Sequence, residues 1–213
     1  MSLRQIAKRK YLEFSKYKGS QHIAGEFAIY KMLELIEKNN VNAILEVGLG
    51  IGTLPSTIIE YKKGDIEYVG TEANEFCLNS LSENLPEAIY SKLKIYDSLS
   101  AALSKTSIFD LIIIDGTFDD FKNVGKHICS HAIIVIEGDR ADQQKIINEY
   151  FPKSKYVHLI SSEKNDPNGV FDSNSWEGGI KVFFINPTIQ QSIFWLKGKI
   201  KTKLLYKRRL KNR

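Results

Sequence analysis

A chain of 213 residues, 43% hydrophobic and 26% charged, can bury one sizeable core and has the composition of a water-soluble globular domain. Two cysteines exclude a disulfide framework or a cysteine-held metal cluster, and with no run of about 18 apolar residues and no apolar signal core the default expectation is a cytoplasmic protein. The net charge of +5 is uneven: Lys197–Arg213 holds nine basic residues and no acid, residues 1–18 hold six basic residues and one acid, and 19–196 is left at −9, which argues against a nucleic-acid partner on the body.

Residues 1–38 read as two helices. In the first, Tyr11, Phe14 and Tyr17 recur at i, i+3, i+6, and Lys18-Gly19-Ser20 ends it. The second is expected over about Gln21–Glu37, with Ile23, Phe27, Ile29, Tyr30, Leu33 and Ile36 near helical spacing and Asn39-Asn40 as the stop. These helices either cover a ligand cleft or pack on a sheet edge.

The next stretch, Ala43–Ile59, organises the rest. An apolar run, Ala43–Val47, ends in glycines at alternate positions, Gly48, Gly50 and Gly52, and a helix follows with Thr53 as candidate cap and Pro55 in its first turn. Glycine permits φ > 0 and close approach of a ligand, so strand, glycine turn and helix N-terminus make a site for a nucleotide-like ligand. The spacing Glu46-x-Gly48-x-Gly50-x-Gly52 departs from the G-x-G-x-x-G dinucleotide fingerprint. An acid before the turn suits a cationic or polyhydroxyl ligand better than a phosphate.

Tyr61-Lys62-Lys63-Gly64 closes that helix, and Ile66–Thr71 is a strand ending at Glu72, 20 residues after Gly52. An acid there can accept both hydroxyls of a ribose. A helix over Glu75–Leu85 and a short strand over Leu93–Tyr96 lead to Asp97-Ser98, where Asp97 also qualifies as N-cap of the following helix. Phe109–Ile114 is apolar but for Asp110, as a central parallel strand covered on both faces should be, and ends in Asp115-Gly116. A helix is expected over about Asp119–Cys129, a strand over Ala132–Ile136 ending Glu137-Gly138-Asp139, a helix over Gln143–Tyr150, and strands over Tyr156–Ile160 and Ile180–Ile185. The expected fold is α/β: a Rossmann-like, doubly wound, mostly parallel seven-stranded sheet with an antiparallel last strand. The chain divides into an N-terminal helical cap (1–40), this domain (41–188) and a basic amphipathic tail (189–213).

The glycine turn resembles motif I of the class I, Rossmann-like S-adenosylmethionine-dependent methyltransferases, and the resemblance spans about residues 40–186. It is nearest to small-molecule and sugar O-methyltransferases, whose IDG-x-H/x-x-Y pattern compares with Ile114–Phe121 here, without the histidine. The resemblance implies O-methyl transfer to a small metabolite or sugar, with S-adenosylmethionine as cofactor. It assigns Glu46, Gly48, Gly50, Gly52 and Thr53 to the methionine and ribose part. Glu72, with Ala73, would hold the ribose hydroxyls, and Asp97 and Ser98 the adenine edge. Asp115, with Gly116, would lie near the sulfonium and the acceptor, and Asp115 is the candidate general base. Some such enzymes hold a divalent cation; Asp115, Glu137 and Asp139 offer three oxygens, but strand 5 lacks the usual acid pair, so a metal is not favoured. The alternatives are a nucleotide- or NAD(P)-linked enzyme on a related fold and a non-catalytic nucleoside-binding interaction protein.

The polar loop Ser161–Gly179 leaves strand 6 at the ligand rim, so Asp166, Asp172, Asn174 and Trp176 are candidate acceptor contacts. In the tail, Ile189, Ile193, Leu196, Ile200 and Leu204 recur at helical spacing between lysines. That pattern fits peripheral contact with an anionic membrane, and equally a solvated terminal helix; a nucleic-acid arm ranks third.

Overall fold

The computed structural model describes residues 1–104, 107–117, 121–138 and 140–211. Its strands are β1 (Ala43–Val47), β2 (Glu67–Thr71), β3 (Leu93–Tyr96), β4 (Phe109–Ile114), β5 (Ile128–Glu137), β6 (Lys155–Ile160) and β7 (Gly179–Phe184). They form one sheet in the order β3-β2-β1-β4-β5-β7-β6. Pairing is parallel as far as β5, and β7 runs antiparallel to both its neighbours. The order reverses between β1 and β4, which opens a crevice beyond their carboxyl ends.

Alternation along the central strands explains the layers. Ile44, Leu111, Ile113, Ile133 and Val135 face one way, with α1 (Leu3–Phe14), α2 (Glu26–Asn39), α3 (Thr53–Tyr61) and α4 (Glu75–Asn84) packed on them. Leu45, Val47, Ile112, Ile114, Ile134 and Ile136 face the other way, under α6 (Leu99–Leu103) and α7 (Ala141–Tyr150). A one-turn α5 (Glu87–Tyr90) leads into β3, and α8 (Ile189–Lys211) lies along β6. Ser2 starts α1 through a capping box with Gln5, and Asn40, at φ 50°, ends α2.

Three segments depart from the sequence reading, the first being α1, which ends at Phe14 and leaves Tyr17 outside the helix. The second helix starts at Glu26, not Gln21: residues 20–22 form one 3-10 turn, and Gly25 is the cap of α2. Ile23, which fits the helical period, is 6% exposed and reaches the core from extended backbone. The helix expected over Asp119–Cys129 begins at residues outside the described ones; Phe121–Lys126 is a 3-10 helix, and β5 already starts at Ile128. Ile128 pairs with Phe109 before a register shift, so the early strand absorbs Cys129–His131.

Candidate functional site

The carboxyl ends of the central strands are stitched together. Asp115 N and Gly116 N donate to Val47 O at 2.9 and 2.7 Å, and Gly48 N and Leu49 N donate to Thr71 O at 3.1 and 3.0 Å. Gly48 has φ +90°, and a Cβ there would stand 2.8 Å from Gly116 N and Cα, so this contact between the ends of β1 and β4 needs glycine. Gly50, at φ +54°, has nothing within 4 Å of a Cβ position: it is the open wall of a cleft of about 500 Å³.

Of the expected residues, Gly48, Gly50, Glu72, Ala73, Asp97, Ser98, Asp115 and Gly116 line this cleft. Glu72 is held by its own backbone neighbours. Gly50 N donates to Oε2 at 2.9 Å, and Ala73 N and Asn74 N donate to Oε1 at 3.0 and 2.9 Å. A carboxylate with three amide donors is fixed in place and keeps one lone pair, on Oε2, for a hydroxyl. Ser98, not Asp97, caps α6 by accepting from Ala101 N, and it donates to Asp97 Oδ1 at 2.9 Å. The described cleft lining contains Glu72, Asp97 and Asp115 and neither lysine nor arginine.

Glu46, Gly52 and Thr53 are not part of the cleft lining. Gly52, left-handed at φ 98°, is the cap of α3, one residue earlier than Thr53. Thr53 is thus the first helical residue, buried, its hydroxyl without a hydrogen-bond partner among the described residues. Glu46 lies in the sheet, 1% exposed, and accepts the Tyr68 phenol at 2.5 Å. Burial pushes its carboxyl well above the ordinary value, the phenol opposing and Asp115 and Glu72 adding to the rise. Tyr68→Phe is therefore expected to cost about 1–3 kcal/mol in urea unfolding, because a buried acceptor loses its donor. The sign with pH follows from the raised folded-state value. Glu46 contributes most below its unfolded value near 4.5, and the contribution is lost as pH rises toward the folded value. Glu46→Gln should flatten that decline; an unchanged slope would refute the assignment.

A second cavity, about 420 Å³, adjoins the first and is bordered by Gln21, His22, Ile23, Asp115, Glu137, Arg140 and Phe171. Asp115 and His22 belong to both cavities. Asp115 and Glu137 hydrogen-bond each other, and burial raises both carboxyls; Glu137 pushes Asp115 further up, while Arg140 opposes the rise at each. Arg140 reaches Asp115 Oδ1 at 3.1 Å and, with Gln143, donates to Gly116 O at 2.8 Å each. Two neighbouring buried carboxyls beside one guanidinium favour sharing a proton.

No family profile matches the chain, and no curated protein does. Solved structures do. The precorrin-6y C5,15-methyltransferase of Geobacter metallireducens aligns at TM-score 0.57 and 12% identity, over 79% of this chain and 92% of that one. TomG, an O-methyltransferase of Streptomyces achromogenes involved in tomaymycin synthesis and solved with S-adenosylmethionine, aligns at 0.55 and 15%, over 87% and 90%. An O-methyltransferase of Bacillus cereus solved with S-adenosylhomocysteine aligns at 0.50 and 17%, over 85% and 88%. The chain has the class I methyltransferase fold.

On this methyltransferase fold the unexpected site residues are His22, Arg140, Gln143 and Phe171. None sits in a motif. His22 is brought over the cleft by the turn between α1 and α2, and Arg140 by the entry to α7. The long loop supplies Phe171 rather than the four residues expected. Asp166 pairs with Lys8 at 2.6 Å, Asp172 accepts from Asn174 and Ser175, and Trp176 is flanked by Lys164 and Arg209. Tyr11 of α1 stacks on Phe171 and accepts from its N–H at 3.2 Å, so the loop is tied to the first helix. Among the described residues no group of three His, Cys, Asp or Glu gathers as for a metal ion; Asp139, the third candidate ligand, lies outside them.

Proposed function

We propose that the chain is an S-adenosylmethionine-dependent methyltransferase acting on an oxygen of a small molecule, a sugar or other metabolite. The observation that carries this reading is the charge of the cleft: a glycine turn at the switch point with three carboxylates and no lysine or arginine in its described lining. S-Adenosylmethionine brings a sulfonium and an ammonium, which carboxylates favour, and ribose hydroxyls, one of which the fixed Glu72 can accept at Oε2. A pyrophosphate would meet repulsion from Glu72 and Asp97, which weighs against the NAD(P) alternative.

The cofactor, when bound, supplies an activated methyl group on sulfur. The chain's own task is then to hold the acceptor in line and to take its proton. The second cavity, joined to the first at Asp115 and His22, is the place for the acceptor. The Asp115–Glu137 pair, its carboxyls raised by burial and so more basic than free carboxylates, is suited to receive the hydroxyl proton.

Titration calorimetry with S-adenosylmethionine, S-adenosylhomocysteine and NAD tests the cofactor. The first two should bind and NAD should not; NAD binding as tight as S-adenosylmethionine would overturn the reading. Glu72→Ala is expected to weaken S-adenosylmethionine about 10- to 150-fold, the loss of a charge-assisted hydrogen bond worth about 1.5–3 kcal/mol. Unchanged affinity in that variant would take Glu72 out of the ribose role.

A further inference from the structure

The helix α8 has two unlike sides. Its inner side is fixed to the edge of the sheet: Gln191 donates to His131 O at 2.9 Å, Trp195 Nε1 to Tyr156 O at 2.8 Å, and Thr202 to His158 O at 2.7 Å. Leu205, one turn on, is buried on the same side. The outer side carries Ile193, Leu196, Ile200 and Leu204, which are 50–54% exposed, and Ile189, which is 82% exposed. Large aliphatic side chains in one continuous row on a folded surface mark an interaction site.

The charges frame that row. At about 100° per residue, Lys199 and Lys203 fall along one flank and Lys197, Lys201 and Arg208 along the other, with no acid anywhere in the helix. An apolar row between two rows of cations matches an anionic bilayer, whose acyl region takes the aliphatic groups while the headgroups meet the ammonium ions. A second copy of the chain would bring lysine rows against lysine rows. A nucleic acid would meet the cations but leave the aliphatic row in water. No helix among the described residues is long and apolar enough to cross a membrane, so α8, about 34 Å long at 1.5 Å per residue over its 23 residues, would lie along the surface.

We propose that α8 seats this protein on an anionic lipid bilayer, with its axis in the membrane plane and its outer aliphatic row at the level where headgroups meet acyl chains. The proposal does not rest on the methyl-transfer reading.

The test is co-sedimentation of the full chain with vesicles of phosphatidylcholine, with and without about one third phosphatidylglycerol, at low and physiological salt. Partitioning to the anionic vesicles should exceed that to neutral ones by about tenfold or more and fall as salt rises. Leu196→Gln/Ile200→Gln/Leu204→Gln should lower partitioning by about tenfold or more, with an unchanged circular dichroism spectrum because all three side chains are exposed. Lys197→Glu/Lys199→Glu/Lys203→Glu should abolish the preference for anionic lipid. Equal pelleting of the wild-type chain and the glutamine variant would overturn the proposal. So would a soluble dimer, seen by sedimentation equilibrium, that the glutamine variant dissolves, since the row would then be covered by a second copy.

Discussion

Asp115→Asn is expected to lower kcat by about 10²- to 10⁴-fold, the range for removing a positioned general base. The amide preserves the volume of the side chain and can still bond to Glu137 and Arg140, so the fold and the cavity should persist. S-Adenosylhomocysteine, which carries no sulfonium, should keep its affinity, and the loss should appear in turnover. Asp115 qualifies because it is the carboxylate that borders both cavities, placed at the end of β4 by the bonds of its own amide and that of Gly116 to Val47 O. The pH profile gives an independent readout. Burial, with Glu137 adding its charge, raises the Asp115 carboxyl, and a base works only once it has lost its proton. Turnover should therefore rise with pH along a limb belonging to the Asp115–Glu137 pair, and Asp115→Asn should remove that limb. Full turnover with the same pH limb would move the proton acceptor elsewhere, with His22 the next group to test because it also faces both cavities.

What the sequence revealed and what it hid follow from the range of the interactions involved. The bounds of β1, β3 and β4 coincide with the segments expected as strands, Ala43–Val47, Leu93–Tyr96 and Phe109–Ile114, because each ends at a glycine or an acid that leaves the sheet. The cleft residues that follow these strands are local in the same sense. Helical periodicity could not distinguish Ile23 in a helix from Ile23 buried by an extended segment before Gly25. Thr53 and Asp97 are good caps by residue type, but the left-handed Gly52 turned the chain one residue early and Ser98 reached the α6 amide instead. Glu46 pointed toward the ligand only as long as its partner was unknown. Tyr68, one strand away in the sheet, takes it. The two aspartates expected at the acceptor are used elsewhere, Asp166 in an ion pair with Lys8 and both Asp166 and Asp172 in turns of the loop itself. Arg140, Gln143, His22 and Phe171 reach the site only through tertiary packing, and no spacing in the chain announces them.

The glycines offer the sharpest separation between a role in the fold and a role at the ligand. Gly48→Ala puts a methyl group 2.8 Å from the backbone of Gly116 while holding alanine at φ +90°. Strain at such a residue costs about 1–3 kcal/mol. Prising β1 from β4 also weakens the bonds from Asp115 N and Gly116 N to Val47 O, each worth about 1 kcal/mol. Together these should lower Tm by roughly 5–15 °C, at about 2–4 °C per kcal/mol for a chain of this size, even with no ligand present. Gly50→Ala meets no such obstacle: its methyl group stands in open space, and only the left-handed φ of +54° is penalised, by about 1–2 kcal/mol. Its fold should survive with a Tm lower by no more than roughly 3–8 °C. Its affinity for S-adenosylmethionine should fall by about tenfold or more, because the methyl group fills the space a ligand needs at the cleft wall. Scanning calorimetry without ligand and titration with it measure the two effects separately. If Gly50→Ala binds the cofactor as well as the wild-type chain does, the glycine turn is a structural bend and the nucleoside lies elsewhere.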